Sequence, residues 1–377
     1  MSEYSRLPDP ADVSENEESV SLKRKKKIRK RVLTILFVLL NIVIIGAAAF
    51  VDFRSEHTTS APHSLDLRYL LLAVWCLLLL MATETLKYYI MMKKLNGSAS
   101  VRTAFEVTAL GRYYNSVTPT GAGGQPFQIY YLNKKNVSTT ASASMPIADF
   151  LTLQFSFIIL AVIVFIFGKP FLTSITEDTI TIMISAYIGI ASYSAVPSLI
   201  ILFIIFPKTV GAIVRFTVNV LSKLRIIRKP DEAIEKSMAT ITKYRQSVVT
   251  ICKTKSLLLI LLGFGFVYHI ALCSIAYFVL LAFGSQLSYL SVVAMMIMIY
   301  CAITYIPTPG NAGAAEVSFL VLLANLNQSN LFWAMLFWRI LTYYSLIATG
   351  GGILAFEAIK NRMINNKETM KTTLEKQ

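Results

Sequence analysis

The run SLLLILLGFGFVYHIALCSIAYFVLLA, residues 256–282, contains no Asp, Glu, Lys or Arg. A helix needs roughly 20 apolar residues to cross the hydrocarbon core of a bilayer, and this unbroken run exceeds that length. A transmembrane β-strand would instead alternate apolar and polar residues. Backbone polar groups in hydrocarbon must find partners within their own segment, so the run reads as a membrane helix and sets the fold class.

Working outward, further spans are expected at 32–51, 69–92, 147–168, 181–206, 288–306 and 331–358. The expected fold is an all-α polytopic membrane protein with about 7–8 transmembrane helices plus re-entrant or broken helices. The whole chain agrees, with 55% hydrophobic and 15% charged residues and a mean hydropathy of +0.59. The net charge of +15 would suggest nucleic acid in a soluble protein. Here the basic residues flank the spans, which points to topology and anionic lipid headgroups instead, with no nucleic-acid partner.

Residues 1–31 read as a disordered cytoplasmic tail, acidic at first and then carrying eight basic residues from Lys23 to Arg31. The run 32–51 reads as a retained span, not a signal peptide, because its polar lead-in is long. Residues 208–255 carry eleven Lys or Arg against three acids and read as the main cytoplasmic loop. The membrane domain thus covers 32–358, and 359–377 form a cytoplasmic C-terminal tail. The 311–326 segment is short for a crossing, yet both ends lie inside only if it crosses or nearly crosses. Cys76, Cys273 and Cys301 lie in apolar runs, and neither a disulfide framework nor metal-ligand spacing is visible.

Two places break the apolar pattern alike: VTPTGAGGQPF at 117–127 and IPTPGNAGAAEVSF at 306–319. In each, a Gly follows a Thr-Pro proline by four residues (Gly123 after Pro119, Gly313 after Pro309), with Gln125 or Glu316 just beyond. The match suggests an internal repeat, inverted across the membrane. Proline breaks the helix and glycine permits close backbone approach, and such breaks are tolerated at membrane depth only where protein or a cavity covers them. Helices that restart after a break point N–H groups into that cavity and make an anion site, as paired broken helices do in secondary transporters. Gly and Pro that merely bend and pack helices are the alternative.

Ionisable residues accompany the breaks, and intramembrane charges are function candidates by default. Arg112 precedes the first break, Glu316 follows the second, Arg339 sits inside the last span, and Asp149 lies near the start of the 147–168 span. A structural Arg339–Glu316 pair and an interfacial Asp149 are the alternatives. Residues 102–135 read as a re-entrant hairpin. Glu84 and Lys87 read as a local ion pair or as snorkelling residues, and His269 as a packed, hydrogen-bonded core histidine.

The segments GRYYNSVTPTGAGGQPFQIYYL at 111–132, PTPGNAGAAE at 307–316 and the Trp338-Arg339-Ile340, Thr342-Tyr343-Tyr344, Gly350 pattern resemble the lysylphosphatidylglycerol synthase transmembrane family, also described as flippase-like. The resemblance covers about 32–358. Asn311 and Ala314 stand where the family tends towards glycine and leucine. Carried over by position, it implies a substrate site of Arg112, Thr118, Pro119, Gly121, Gly123, Gly124, Gln125, Pro307, Pro309, Gly310, Gly313, Glu316 and Arg339. It implies movement of a polar-headed lipid between leaflets: an aminoacyl-phospholipid, a glycolipid or a polyprenyl-phosphate sugar. The family enzyme's soluble lysyltransferase domain is not expected in the short tail after the last span. A separately encoded lipid-modifying synthase as partner, giving lysyl-lipid and cationic-peptide resistance, and a non-catalytic envelope-synthesis scaffold stay open, as does a homo-oligomer. No cofactor is expected, and no GxxxxGK[ST] motif for ATP occurs.

Overall fold

In the computed structural model, residues 43, 65–118, 121, 123–167, 179–223, 229–303, 306, 308–323 and 330–374 are described. The expected tail 1–31 and all but Val43 of the expected span 32–51 lie outside them, as do Pro119 and Pro307. Twelve helices lie within the described residues. The first, α1 (Leu67–Asn96), is capped by Asp66, whose side chain accepts the Arg68 N–H at 2.9 Å, and it stops at Gly97, which takes a left-handed φ of 73°. Next come α2 (Val101–Val117) and α3 (Gly124–Lys134), the two arms of the expected re-entrant hairpin. Then follow α4 (Thr139–Phe167), α5 (Thr179–Ile205), α6 (Pro207–Lys223), α7 (Pro230–Lys253), α8 (Lys255–Ala282) and α9 (Tyr289–Ile303). A short 3-10 turn, Pro309–Asn311, leads into α10 (Ala314–Leu323). Finally α11 (Leu331–Arg339) and α12 (Ser345–Leu374) are joined by a π-helical turn, Ile340–Tyr344.

The protein is an all-α polytopic membrane protein. Among the described residues, α1, α4, α8 and the stretch Leu331–Lys360 are long and apolar enough to cross a membrane. The segments Tyr187–Leu202 and Tyr289–Ile303 are shorter apolar helices. Three sequence readings are refined among the described residues. Within the expected span at 288–306, Tyr289–Ile303 are helical. The helix expected over 311–326 starts only at Ala314, after the turn, and its described part runs to Leu323. The basic segment 208–255, read as the main cytoplasmic loop with room for short amphipathic helices, holds α6 and α7.

Helices α1 and α8 pack along their length, and the Asp66 N–H donates to the Ala282 carbonyl at 2.9 Å, pinning the start of one to the end of the other. The apolar core falls into two main clusters. One gathers Leu77 and Leu80 of α1, Phe157 of α4, Ile275 and Val279 of α8, and residues of α9 to α11. The other gathers Tyr88 and Met91 of α1, Leu110 of α2, Met145 of α4 and Leu261 of α8. Along α1, Glu84 and Lys87 fall between the two clusters, and so does Asp149 along α4. The polar residues thus form a layer partway along the bundle, with apolar packing on both sides.

Candidate functional site

In that layer a cavity of about 370 Å³ opens. Its wall includes Glu84, Arg112, Gln125, Asp149, Gly310 and Arg339, with an aromatic lining of Phe157, Tyr268, Tyr300, Trp338 and Tyr343. Both breaks reach it, the first through Gly121 and Gln125, the second through Gly310 and Asn311.

The breaks share a backbone turn. The Gly121 N–H donates to the Thr118 carbonyl at 3.2 Å, and the Asn311 N–H donates to the Thr308 carbonyl at 3.1 Å. Gly121 and Asn311, each three residues after its threonine, have φ of 64° and 55°. Helices α3 and α10 each restart six residues after the threonine, at Gly124 and Ala314. Asparagine tolerates the left-handed region better than most residues, so Asn311 fills the position that Gly121 occupies in the first break.

The capping differs. In the first break Thr118 Oγ1 accepts the Gly123 N–H at 3.0 Å, and Asn115 Oδ1 accepts the Gly124 N–H at 2.7 Å. A Cβ on Gly124 would lie 2.3 Å from that Asn115 oxygen and 2.5 Å from the Gly111 carbonyl, so only glycine lets α2 and α3 approach this closely. In the second break Glu316, in the first turn of α10, reaches back to accept the Gly313 N–H at 2.8 Å. This is the carboxylate arm of a capping box. The Thr308 hydroxyl is buried without a partner among the described residues. Protein oxygens thus occupy the Gly123, Gly124 and Gly313 N–H groups, which narrows the expected anion site to the remaining first-turn N–H groups. A carboxylate also sits where an anion would dock at α10.

Two sets of buried charges flank the cavity. In the first, Arg112 Nε and Nη2 donate to Glu84 Oε2 at 3.1 and 2.6 Å, and Lys87 Nζ donates to Glu84 Oε1 at 2.7 Å. Lys87 also pairs with Asp149 and has no exposed surface. Two cations therefore balance two anions drawn from α1, α2 and α4. The local Glu84–Lys87 ion pair read from the sequence is present, whereas the snorkelling alternative fails because the Lys87 side chain points into the bundle. In the second set Arg339 Nε donates to Glu316 Oε1 at 2.7 Å and Nη2 to the Gly310 carbonyl at 3.4 Å. The Arg339–Glu316 pair weighed in the sequence is present, with its two side chains 7% and 2% exposed.

Both arginines stack on aromatic rings. The Arg112 guanidinium lies 4.7 Å from the Tyr268 ring centre, and that of Arg339 lies 4.8 Å from Tyr343. The Tyr343 hydroxyl lies 3.4 Å from the carbonyls of both Ser116 and Pro309, and its one proton donates to either, so one side chain sits between the two breaks. Its ring leaves no space beside Gly310, where a Cβ would lie 2.0 Å from Tyr343 Cε2 at a backbone φ of 60°. The π-helical turn sets the register of this stretch, which presents Arg339, Thr342 and Tyr343 to the cavity.

Of the residues named from sequence, Arg112, Gly121, Gln125, Asp149, Gly310 and Arg339 line the cavity. Thr118, Gly123, Gly124, Pro309, Gly313 and Glu316 shape the breaks around it. Sequence reasoning placed Glu84 and Lys87 outside the site, although two charged residues at i and i+3 within an apolar run were the available signal. Asn115 and Tyr343 lie within the segments that carried the family resemblance but were not singled out, and Tyr268 had no signal. His269 is the packed histidine expected, with Nε2 3.0 Å from the Leu153 carbonyl.

Among the described residues, paired helix breaks and buried ion pairs thus surround a cavity lined by charged and aromatic side chains in a membrane helix bundle. The chain belongs to the family described as the lysylphosphatidylglycerol synthase TM region, whose profile matches residues 31–350. It is 26% identical over 312 residues to a UPF0104 membrane protein of Archaeoglobus fulgidus, covering 79% of this chain and 91% of that one. It is 25% identical over 291 residues to a UPF0104 membrane protein of Methanothermobacter thermautotrophicus, covering 76% and 83%. No solved structure matches the chain.

Proposed function

We propose that the protein moves a polar-headed lipid between leaflets, with the headgroup passing through the central cavity. The observation behind this reading is the convergence of both helix breaks, Arg112 and Arg339 on one cavity of charged and aromatic side chains between two apolar clusters. A volume of about 370 Å³ suits a headgroup, since small-ligand pockets start near 300 Å³, while acyl chains stay in the surrounding lipid. The barrier lowered is burial of a polar group in hydrocarbon.

A headgroup phosphate beside Arg112 competes with Glu84 for the guanidinium, and Lys87 continues to neutralise Glu84 as that bond loosens. Arg339 is held through Glu316 and the aromatic rings, so its charge stays fixed at the second break. Protein oxygens cap the N–H groups of Gly123, Gly124 and Gly313, so the side chains supply the main cationic contacts. By the positive-inside rule, the basic run 23–31 and segment 208–255 support a reading with both termini on the cytoplasmic side of the cell membrane.

The test is leaflet exchange of labelled phospholipids and glycolipids in liposomes holding purified protein, with wild type beside Arg112→Gln and Arg339→Ala. Exchange faster than in empty liposomes, and lost in both variants, is expected. Equal exchange with and without protein for every lipid overturns the proposal.

A further inference from the structure

Helix α6, sequence PKTVGAIVRFTVNVLSK, has three faces where an amphipathic helix needs two. One face turns to the protein: Val210 and Val218 are buried, and Gly211 lies against Met238 of α7, where a Cβ would sit 3.3 Å from the Met238 methyl. A second face is apolar and uncovered: Ile213, Phe216 and Val220, spaced i, i+3 and i+7, are 48%, 71% and 40% exposed. On the third face helical register places Arg215, Asn219 and Lys223, all exposed. The helix contains no acidic residue.

Its position in the chain limits what can cover the apolar face. Only Phe206, itself 51% exposed, separates α6 from the end of the apolar helix α5. Helical hydrogen bonding continues across the joint, from the Phe206 N–H to the Leu202 carbonyl at 2.9 Å and from the Val210 N–H to the Phe206 carbonyl at 3.2 Å. The joint therefore holds the first turn of α6 at the end of an apolar helix. Around it the segment 208–255 carries eleven basic residues against three acids.

We propose that α6 is an interfacial anchor that binds an anionic lipid surface, with Phe216, Ile213 and Val220 seated at the boundary of headgroups and acyl chains and Arg215 and Lys223 over the phosphates. An apolar stripe beside a basic, acid-free face is the pattern of helices that lie in the interface plane. A second copy of the chain fits the face less well, because a two-fold contact of α6 with α6 sets two basic faces side by side.

The test uses the full chain in liposomes, with Cys76, Cys252, Cys273 and Cys301 replaced by alanine and an environment-sensitive fluorophore on Phe216→Cys or Asn219→Cys. The membranes are phosphatidylcholine alone and phosphatidylcholine mixed with phosphatidylglycerol. With phosphatidylglycerol present, the label at 216 is expected to shift to the blue and be quenched by acyl-chain nitroxide lipids, while the label at 219 stays water-exposed. Neutralising Arg215 and Lys223 to Gln weakens binding to the anionic surface about five-fold per residue and moves the phosphatidylglycerol titration to higher fractions.

A 216 label with aqueous emission in both membranes overturns the proposal. So does one shielded from water yet untouched by nitroxide lipid, which assigns the face to a protein partner. If the cysteine-free chain does not fold, p-benzoylphenylalanine at 216 in the native chain gives the same decision: photoadducts with lipid support the anchor, and adducts with protein alone refute it.

Discussion

Replacing Glu316 by Gln keeps the size of the side chain and removes one charge from a pair whose members are 2% and 7% exposed. The two carboxylate oxygens have separate tasks, one accepting Arg339 Nε at 2.7 Å and the other the Gly313 N–H at 2.8 Å. An amide offers one acceptor and one NH₂ group, so either Arg339 or Gly313 must face a donor. A charge-assisted hydrogen bond contributes about 1.5–3 kcal/mol. Leaving a buried charge without its partner raises the expected cost to about 3–5 kcal/mol. The Gly310 carbonyl and the Tyr343 and Trp338 rings still attract Arg339, so the lower end of that range applies.

Arg339→Gln strands the carboxylate and costs a comparable amount. The double variant Glu316→Gln/Arg339→Gln holds two neutral amides that can bond to each other, and it should lose less than the sum of the singles by about 3 kcal/mol. Thermal unfolding in detergent at one fixed scan rate, followed by tryptophan fluorescence, gives the ranking: both singles melt well below wild type, and the double no lower than the worse single. Strict additivity, or singles that melt with wild type, would refute the claim that this pair is a buried, desolvated unit.

Gly310→Ala places a methyl on Tyr343 at a left-handed φ, so a loss of about 2–5 kcal/mol is expected, checked by the same melt. Normal stability there would mean that Tyr343 does not lie against the second break. Lys87→Met leaves Glu84 and Asp149 facing each other without their shared cation and should cost about 3–5 kcal/mol, partly recovered by adding Asp149→Asn. No recovery would exclude Asp149 as the second partner. Asn115→Ala removes the acceptor for the Gly124 N–H and should cost about 1 kcal/mol, with proteolysis of the 118–123 stretch accelerating. Unchanged cleavage rates would place the hold on that break elsewhere.

The sequence by itself determined the solvent and the element type. Apolar runs such as 256–282 must be helices in a bilayer because no other open structure satisfies the backbone there. It also located both breaks, since Pro and Gly act on the backbone locally: the turns at Thr118 and Thr308 follow from residues within a few positions of each other. It did not determine partners. Glu84 and Lys87 sit three residues apart on α1, and one dimension cannot tell a snorkelling pair from half of a four-charge network completed by Arg112 and Asp149.

Tertiary structure alone decided that the two breaks meet, because the link runs through Tyr343, a tyrosine whose direction is set by a π-helical turn with no sequence signature. It likewise decided that the N–H groups of Gly123, Gly124 and Gly313 are spent on Thr118, Asn115 and Glu316. Which oxygen reaches an N–H depends on how loops and helices pack in three dimensions, whereas helix formation depends mainly on what each segment must do with its own backbone.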